Sequence, residues 1–207
     1  MLTRCSSRSL FAPLVPVLLL LSAETLAAQA PAGVPVFAFD KTKSSIGFDV
    51  KASVPITGKF DKWDATLTFT SPGISTGVLD IKAQAASVNT GSGMKDGKLK
   101  SKDFFDAEHD PYITFHSTKI VQTGPNTFDI PGTFTIRGVS KPETLALNIV
   151  SGGPATGQAE VKGIMAFDRK DYGMNSGIPL IKIADRVEVE VDLYGKRVSG
   201  PPVNTKE

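Results

Sequence analysis

The chain has 207 residues, with 23 Lys and Arg against 21 Asp and Glu, a net charge of +2. That balance excludes a general nucleic-acid binder, which needs a basic surplus. One cysteine excludes an internal disulfide framework and any multi-Cys metal cluster, and two histidines leave little for a His-built centre.

Arg4 and Arg8 precede an apolar run from Leu10 to Leu21, followed by Ala27, Ala28 and Ala30. This order of basic, apolar and small residues is that of a secretory signal peptide over residues 1–27, with cleavage between 27 and 30. The run is broken by Pro13 and Pro16 and falls short of the ~20 apolar residues of a membrane-spanning helix. The expectation is an exported protein with no stable membrane insertion after cleavage. Cys5 leaves with the leader, and the remaining ~180 residues suffice for one ordinary core.

Beyond the leader the signal is period two. Ile46, Phe48, Val50 and Ala52 alternate with polar residues, as do Ala65, Leu67 and Phe69 and then Leu79, Ile81 and Ala83. Ile113, Phe115 and Ser117 share one face, with Thr114 and His116 on the other. Phe134 and Ile136 follow, then Leu145, Leu147 and Ile149, then Val161, Gly163, Met165 and Phe167. Val187, Val189, Val191 and Leu193 against Glu188, Glu190 and Asp192 are the cleanest set. Turn signals at Ser71-Pro72-Gly73, Gly124-Pro125-Asn126 and Gly152-Gly153-Pro154 separate the runs. Met94–Phe105 is the one segment expected to be a short helix or ordered loop. About eight amphipathic strands and almost no helix predict an all-β antiparallel barrel or sandwich. One domain is expected over 36–196, with a flexible tail over 197–207. Period two leaves two readings of the inward residues, a filled core or the wall of a cavity.

Five segments together resemble the YceI-like family of exported lipid-binding proteins. They are Ser45-Ile46-Gly47-Phe48 with Thr57-Gly58-Lys59-Phe60, then Ala86-Ser87-Val88-Asn89-Thr90, then the run from Lys95 to Asp106 with Pro111-Tyr112-Ile113-Thr114-Phe115-His116-Ser117-Thr118. Gly132 to Pro142, containing Arg137-Gly138-Val139-Ser140-Lys141, and Asp168-Arg169-Lys170-Asp171-Tyr172-Gly173-Met174 complete the set. The segments stand in family order and span Phe39 to Tyr194. The resemblance implies a lipocalin-like antiparallel β-barrel with an elongated apolar cavity. It also implies a periplasmic protein that holds a long-chain polyisoprenoid or similar amphipathic lipid, with a homodimer as one expected state.

On that reading the cavity wall comprises Phe48, Val50, Phe69, Leu79, Ile81, Phe115, Phe134, Ile136, Leu147, Met165 and Phe167. Phe104 and Phe105 are expected to plug one end. Family members often carry His where this chain has Ala52 and Lys98. Lys98 keeps a cationic donor, suited to an anionic or carbonyl head group. Asp96, Asp103 and Asp106 read as hydrogen-bonding punctuation of the connecting segment, Asp168–Asp171 as a turn, and Arg137-Gly138 as a hairpin turn. His116 is expected on the solvent face and His109 in a turn. No cofactor, metal site or catalytic residue is expected: the chain has no nucleophile elbow, phosphate loop or His-Glu-x-x-His. A quinone, fatty acid or fatty amide remains open as the ligand. So does a non-catalytic structural or interaction module of the envelope.

Overall fold

The computed structural model describes residues 33–53, 55–154, 156–177 and 182–205. The expected signal peptide lies outside the described residues. Twelve strands follow in chain order. The first six are β1 (Val36–Phe39), β2 (Ser45–Ala52), β3 (Ile56–Phe60), β4 (Trp63–Thr68), β5 (Val78–Gln84) and β6 (Val88–Asn89). After helix α1 (Gly93–Lys100) come β7 (Tyr112–Ser117), β8 (Val121–Gln122), β9 (Thr127–Ile136), β10 (Val139–Gly153), β11 (Gln158–Asp168) and β12 (Ile183–Ser199).

All strand pairings are antiparallel, in the order β4-β5-β7-β9-β10-β11-β12-β2-β3-β6, with β1 added to β12 and β8 to β9. The sheet curls into a half-barrel, the lipocalin-like architecture expected, with more and longer strands than the alternation alone marks. Period two explains the curl. Each strand has one apolar face, and a single continuous sheet buries those faces together by curling on itself. On β9, Phe128, Ile130, Phe134 and Ile136 are buried while Thr127, Asp129 and Thr133 are exposed. On β12, Val187, Val191 and Leu193 are buried, with Glu190 outside.

The β9–β10 connection is a two-residue hairpin in which Arg137 and Gly138 both have positive φ, 53° and 68°. That geometry matches the twist of the flanking strands. Arg137 tolerates it because its guanidinium is engaged: Nη2 donates to the Lys102 carbonyl at 2.8 Å and Nη1 to that of Gly173. One side chain thus ties the hairpin to the segment after α1 and to the turn after β11.

The segment expected as a flexible tail meets the body of the domain as far as Asn204. Residues 197–199 continue β12, Val203 is buried, and Asn204 exchanges backbone hydrogen bonds with Ile74 and Pro72 at 3.0 and 2.8 Å. Val203 gives this segment something to bury, whereas Val198 is exposed. Among the described residues, no helix is long and apolar enough to cross a membrane.

Candidate functional site

The inward faces meet in two apolar cavities. The first, of about 80 Å³ counted as the space open to the centre of a water molecule, is walled by β2, β3, β5, β7, β9, β10, β11 and β12. Of the residues expected there, Phe48, Val50, Ile81, Phe104, Phe105, Phe115, Phe134, Ile136, Met165 and Phe167 line it. Phe69, Leu79 and Leu147 do not. They line a second cavity of about 120 Å³, together with Phe128, Ile130, Val161 and Leu193. The single elongated void implied by the resemblance is therefore two smaller spaces. For scale, a cavity of about 150 Å³ holds one benzene, so a long tail enters only if side chains move.

Aromatic rings set the character of the first cavity. Phe48, Phe60 and Phe105 pack with centroids 5.8–6.0 Å apart. Phe134, Phe167 and Tyr172 form a second triad at 5.1–5.6 Å. Such tilted and edge-on pairs hold rings in place beyond what area burial gives. Phe104 and Phe105 reach the cavity from the turns after α1, and both are buried. α1 itself contributes Leu99 as its buried residue.

The polar groups gather at this α1 end. Lys98 donates to Asp103 at 2.5 Å and lies 5.8 Å from the Phe104 ring centroid. Hydrogen bonding to Lys98 holds the Asp103 carboxyl below its usual range. The expected head-group cation is therefore already paired. Arg169, read from sequence as part of a turn, proves to be the charged side chain on the cavity wall. It continues the inward register of Met165 and Phe167, and that spacing is the signal that would have found it. Its guanidinium is satisfied by the fold. Nε donates to the Ala184 carbonyl at 3.3 Å, and Nη1 to the carbonyls of Ser176 at 2.9 Å and Met174. Nη2 pairs with Asp185 at 3.0 Å. Asp185 also meets Lys170 at 2.7 Å, and that hydrogen bond is the main cause of its lowered pKa. The Asp168 side chain caps the Lys170 amide at the start of the 3₁₀ turn Arg169–Tyr172, as its Asx role required. Within that turn, burial above all, with Glu143 adding to it, pushes the Tyr172 phenol well up.

The remaining candidates face outward. His116 pairs with Asp80 at 2.5 Å on the solvent side, and His109 with Asp106 at 2.8 Å. Asp96 accepts from the Thr90 amide and hydroxyl at 2.8 and 2.7 Å, fixing the approach to α1. Trp63 begins β4 and is buried, with Lys41 5.9 Å from its ring centroid. Among the described residues no cluster of three His, Cys, Asp or Glu side chains has metal-binding geometry. Sequence reasoning missed much of the wall, including Ile46, Phe60, Leu145 and Val191 in the first cavity and Phe37, Phe39 and Val203 in the second. Ile46, Leu145 and Val191 stood in the alternating sets; Val203 carried no periodic signal.

The YceI-like domain family matches residues 37–194. The chain belongs to the YceI-like family. A curated relative, a UPF0312 protein of Vibrio parahaemolyticus, is 26% identical over 140 residues, covering 68% of this chain and 74% of the relative. Among solved structures, Burkholderia cenocepacia BcnA superposes with a TM-score of 0.67 at 25% identity, over 76% of this chain and 99% of BcnA. A domain from Saccharophagus degradans described as polyisoprenoid-binding gives a TM-score of 0.59 at 16% identity, over 79% of this chain and 99% of its own. That likeness is one of fold. The cavities described above lie inside the YceI-like sheet that these proteins share.

Proposed function

We propose that this protein is an exported, periplasmic binding protein that holds the tail of a long-chain polyisoprenoid or similar amphipathic lipid between the inward faces of its sheet, for storage or transport. The observation that carries the reading is the pair of apolar cavities at the heart of the molecule, where an ordinary domain has a filled core. A tail without hydrogen-bonding groups is recognised by burial and shape, at about 0.8 kcal/mol per methylene. The polyisoprenoid-binding description of the S. degradans domain supports the same ligand class. The polar groups at the α1 end give the ligand a direction, head towards Lys98 and tail inward. Lys98 meets an anionic head by exchanging Asp103 for it. The role is to hold a ligand, without a catalytic step.

The test is native mass spectrometry of the purified mature protein after exposure to a polyprenyl phosphate, a quinone, a fatty acid and a fatty amide. A one-to-one complex with at least one long-tailed lipid is expected, with the ligand recovered unchanged. Phe115→Asp, which places a carboxylate on the cavity wall, should abolish that complex. A folded Phe115→Asp protein that binds like wild type, or a wild type that takes up none of the four, overturns the reading.

A further inference from the structure

The two cavities share no lining residue, yet they lie on the same strands at successive inward positions. Ile81 walls the first and Leu79 the second on β5. Leu145 and Leu147 divide in the same way on β10, as do Val191 and Leu193 on β12. The two spaces are therefore stacked along the barrel axis, one residue pair apart. On β11, Ala159 lines the second and Phe167 the first. At ~3.3 Å per residue and the usual strand tilt, that span corresponds to about 20 Å of axis.

The boundary between them is unusual. At its level two strands carry an inward glycine: Gly132 on β9, between Ile130 and Phe134, and Gly163 on β11, between Val161 and Met165. Glycine weakens a strand interior and often marks a close approach. A Cβ on Gly132 would stand 2.5 Å from the His116 carbonyl oxygen and 2.8 Å from Phe115 Cζ, and one on Gly163 would stand 2.3 Å from Leu147 Cδ2. At Gly163 the space a side chain would have filled is thus taken by a methyl, and at Gly132 by the β7 backbone together with the tip of a ring; the ring and the methyl turn about their own χ angles. Moving them exposes little that is polar. The buried hydroxyl nearby, on Ser117, is engaged with the Leu79 amide at 2.7 Å.

We propose that Phe115 and Leu147 are a displaceable waist, and that the second cavity is the subsite for the distal end of a long apolar tail. The inference rests on the lipid-binding reading above and adds to it a tail-length rule. A short tail fills the first cavity. A long one turns Phe115 and Leu147 aside and runs on over Gly132 and Gly163 into the second. Polarity sets the direction, since Lys98, Asp103 and Arg169 lie at the first cavity's end, while Phe69, Phe128 and Val203 wall the second.

The test compares farnesol with solanesol, a short and a long prenyl alcohol with the same head, by competition against a fluorescent lipid. In Val161→Trp, which fills the second cavity from its half-buried wall, solanesol affinity should fall about tenfold or more, the equivalent of losing about two buried methylenes. Farnesol affinity should not change. Phe115→Ala, which removes the waist ring, should raise the solanesol-to-farnesol affinity ratio. An unchanged ratio in a folded Val161→Trp protein overturns the proposal, as does an unchanged ratio in Phe115→Ala, which decides alone if the Trp variant does not fold. Farnesol binding without any solanesol preference would end the second subsite but leave the lipid-binding reading standing. Failure of the wild type to bind either alcohol overturns both.

Discussion

Replacing Arg169 with Leu tests how the α1 end of the cavity is held. The wild-type guanidinium reaches the carbonyls of Met174, Ser176 and Ala184 and the carboxylate of Asp185 from a side chain that is only 7% exposed. Removing one partner of a buried ion pair costs about 3–5 kcal/mol. Here Asp185 is 37% exposed and keeps Lys170 at 2.7 Å, which places the loss near the lower figure, about 3 kcal/mol. For a domain of this size, about 3 kcal/mol lowers Tm by roughly 6–12 °C. Urea unfolding with a shared m-value, supported by calorimetry, measures it. Arg169→Lys retains the charge but lacks the planar fork that spans three carbonyls and a carboxylate, so it should rescue only part of the loss. An Arg169→Leu protein within about 1 kcal/mol of wild type would refute the assignment of the buried guanidinium as the tie that holds Met174, Ser176, Ala184 and Asp185 to the end of β11.

Other consequences are smaller or more local. Ser117→Ala strands the buried Leu79 amide and should cost about 1–3 kcal/mol in urea unfolding. Gly132→Ala places a Cβ 2.5 Å from the His116 carbonyl oxygen, a backbone atom, and should destabilise by about 1–3 kcal/mol where an exposed Gly97→Ala is neutral or stabilising. Asp103 and Asp185 are held below the usual carboxylate range, by Lys98 and by Lys170 respectively. Their contribution to stability is present above the unfolded carboxylate pKa of ~3.9 and lost as pH falls through their lower folded values. A urea midpoint that declines below about pH 4, and less steeply in Asp185→Asn, checks it. His109 runs the other way, because the hydrogen bond to Asp106 raises its pKa. Its contribution is complete below ~6.5 and fades as pH rises through the folded value, so the proton NMR titration of His109 should move down in Asp106→Asn.

What the sequence revealed follows the physics of burial. β12 was legible from Val187 to Leu193 because apolar and acidic residues alternate without a break, with Val187, Val191 and Leu193 buried. β10 was legible only from Leu145 onward, since its first half, with Ser140, Pro142 and Thr144 on one side and Lys141 and Glu143 on the other, has no fully buried face. β1, β6 and β8 have two to four residues and are too short to show a period. The docking of Val203 goes with the backbone bonds of its neighbour Asn204 to Pro72 and Ile74, far away in sequence. Arg169 was masked by its chemistry: an Arg among charged neighbours reads as a turn, and only the inward register of β11 carries it into the wall. The division of the interior was the least legible feature. Gly163 stood in an alternating set, but whether the space above it is empty is decided by Leu147 on the next strand. Alternation tells which side chains point inward, not whether they meet in the middle.

The account rests on a ligand-accepting interior, and the most direct measurement is extraction and mass analysis of what the protein carries when purified, without detergent, from the periplasm of its own cells. It predicts a long-tailed lipid in a fixed ratio to protein, absent from a Phe115→Asp preparation made in parallel. Protein that emerges lipid-free and takes up no long-chain lipid offered to it afterwards would contradict it.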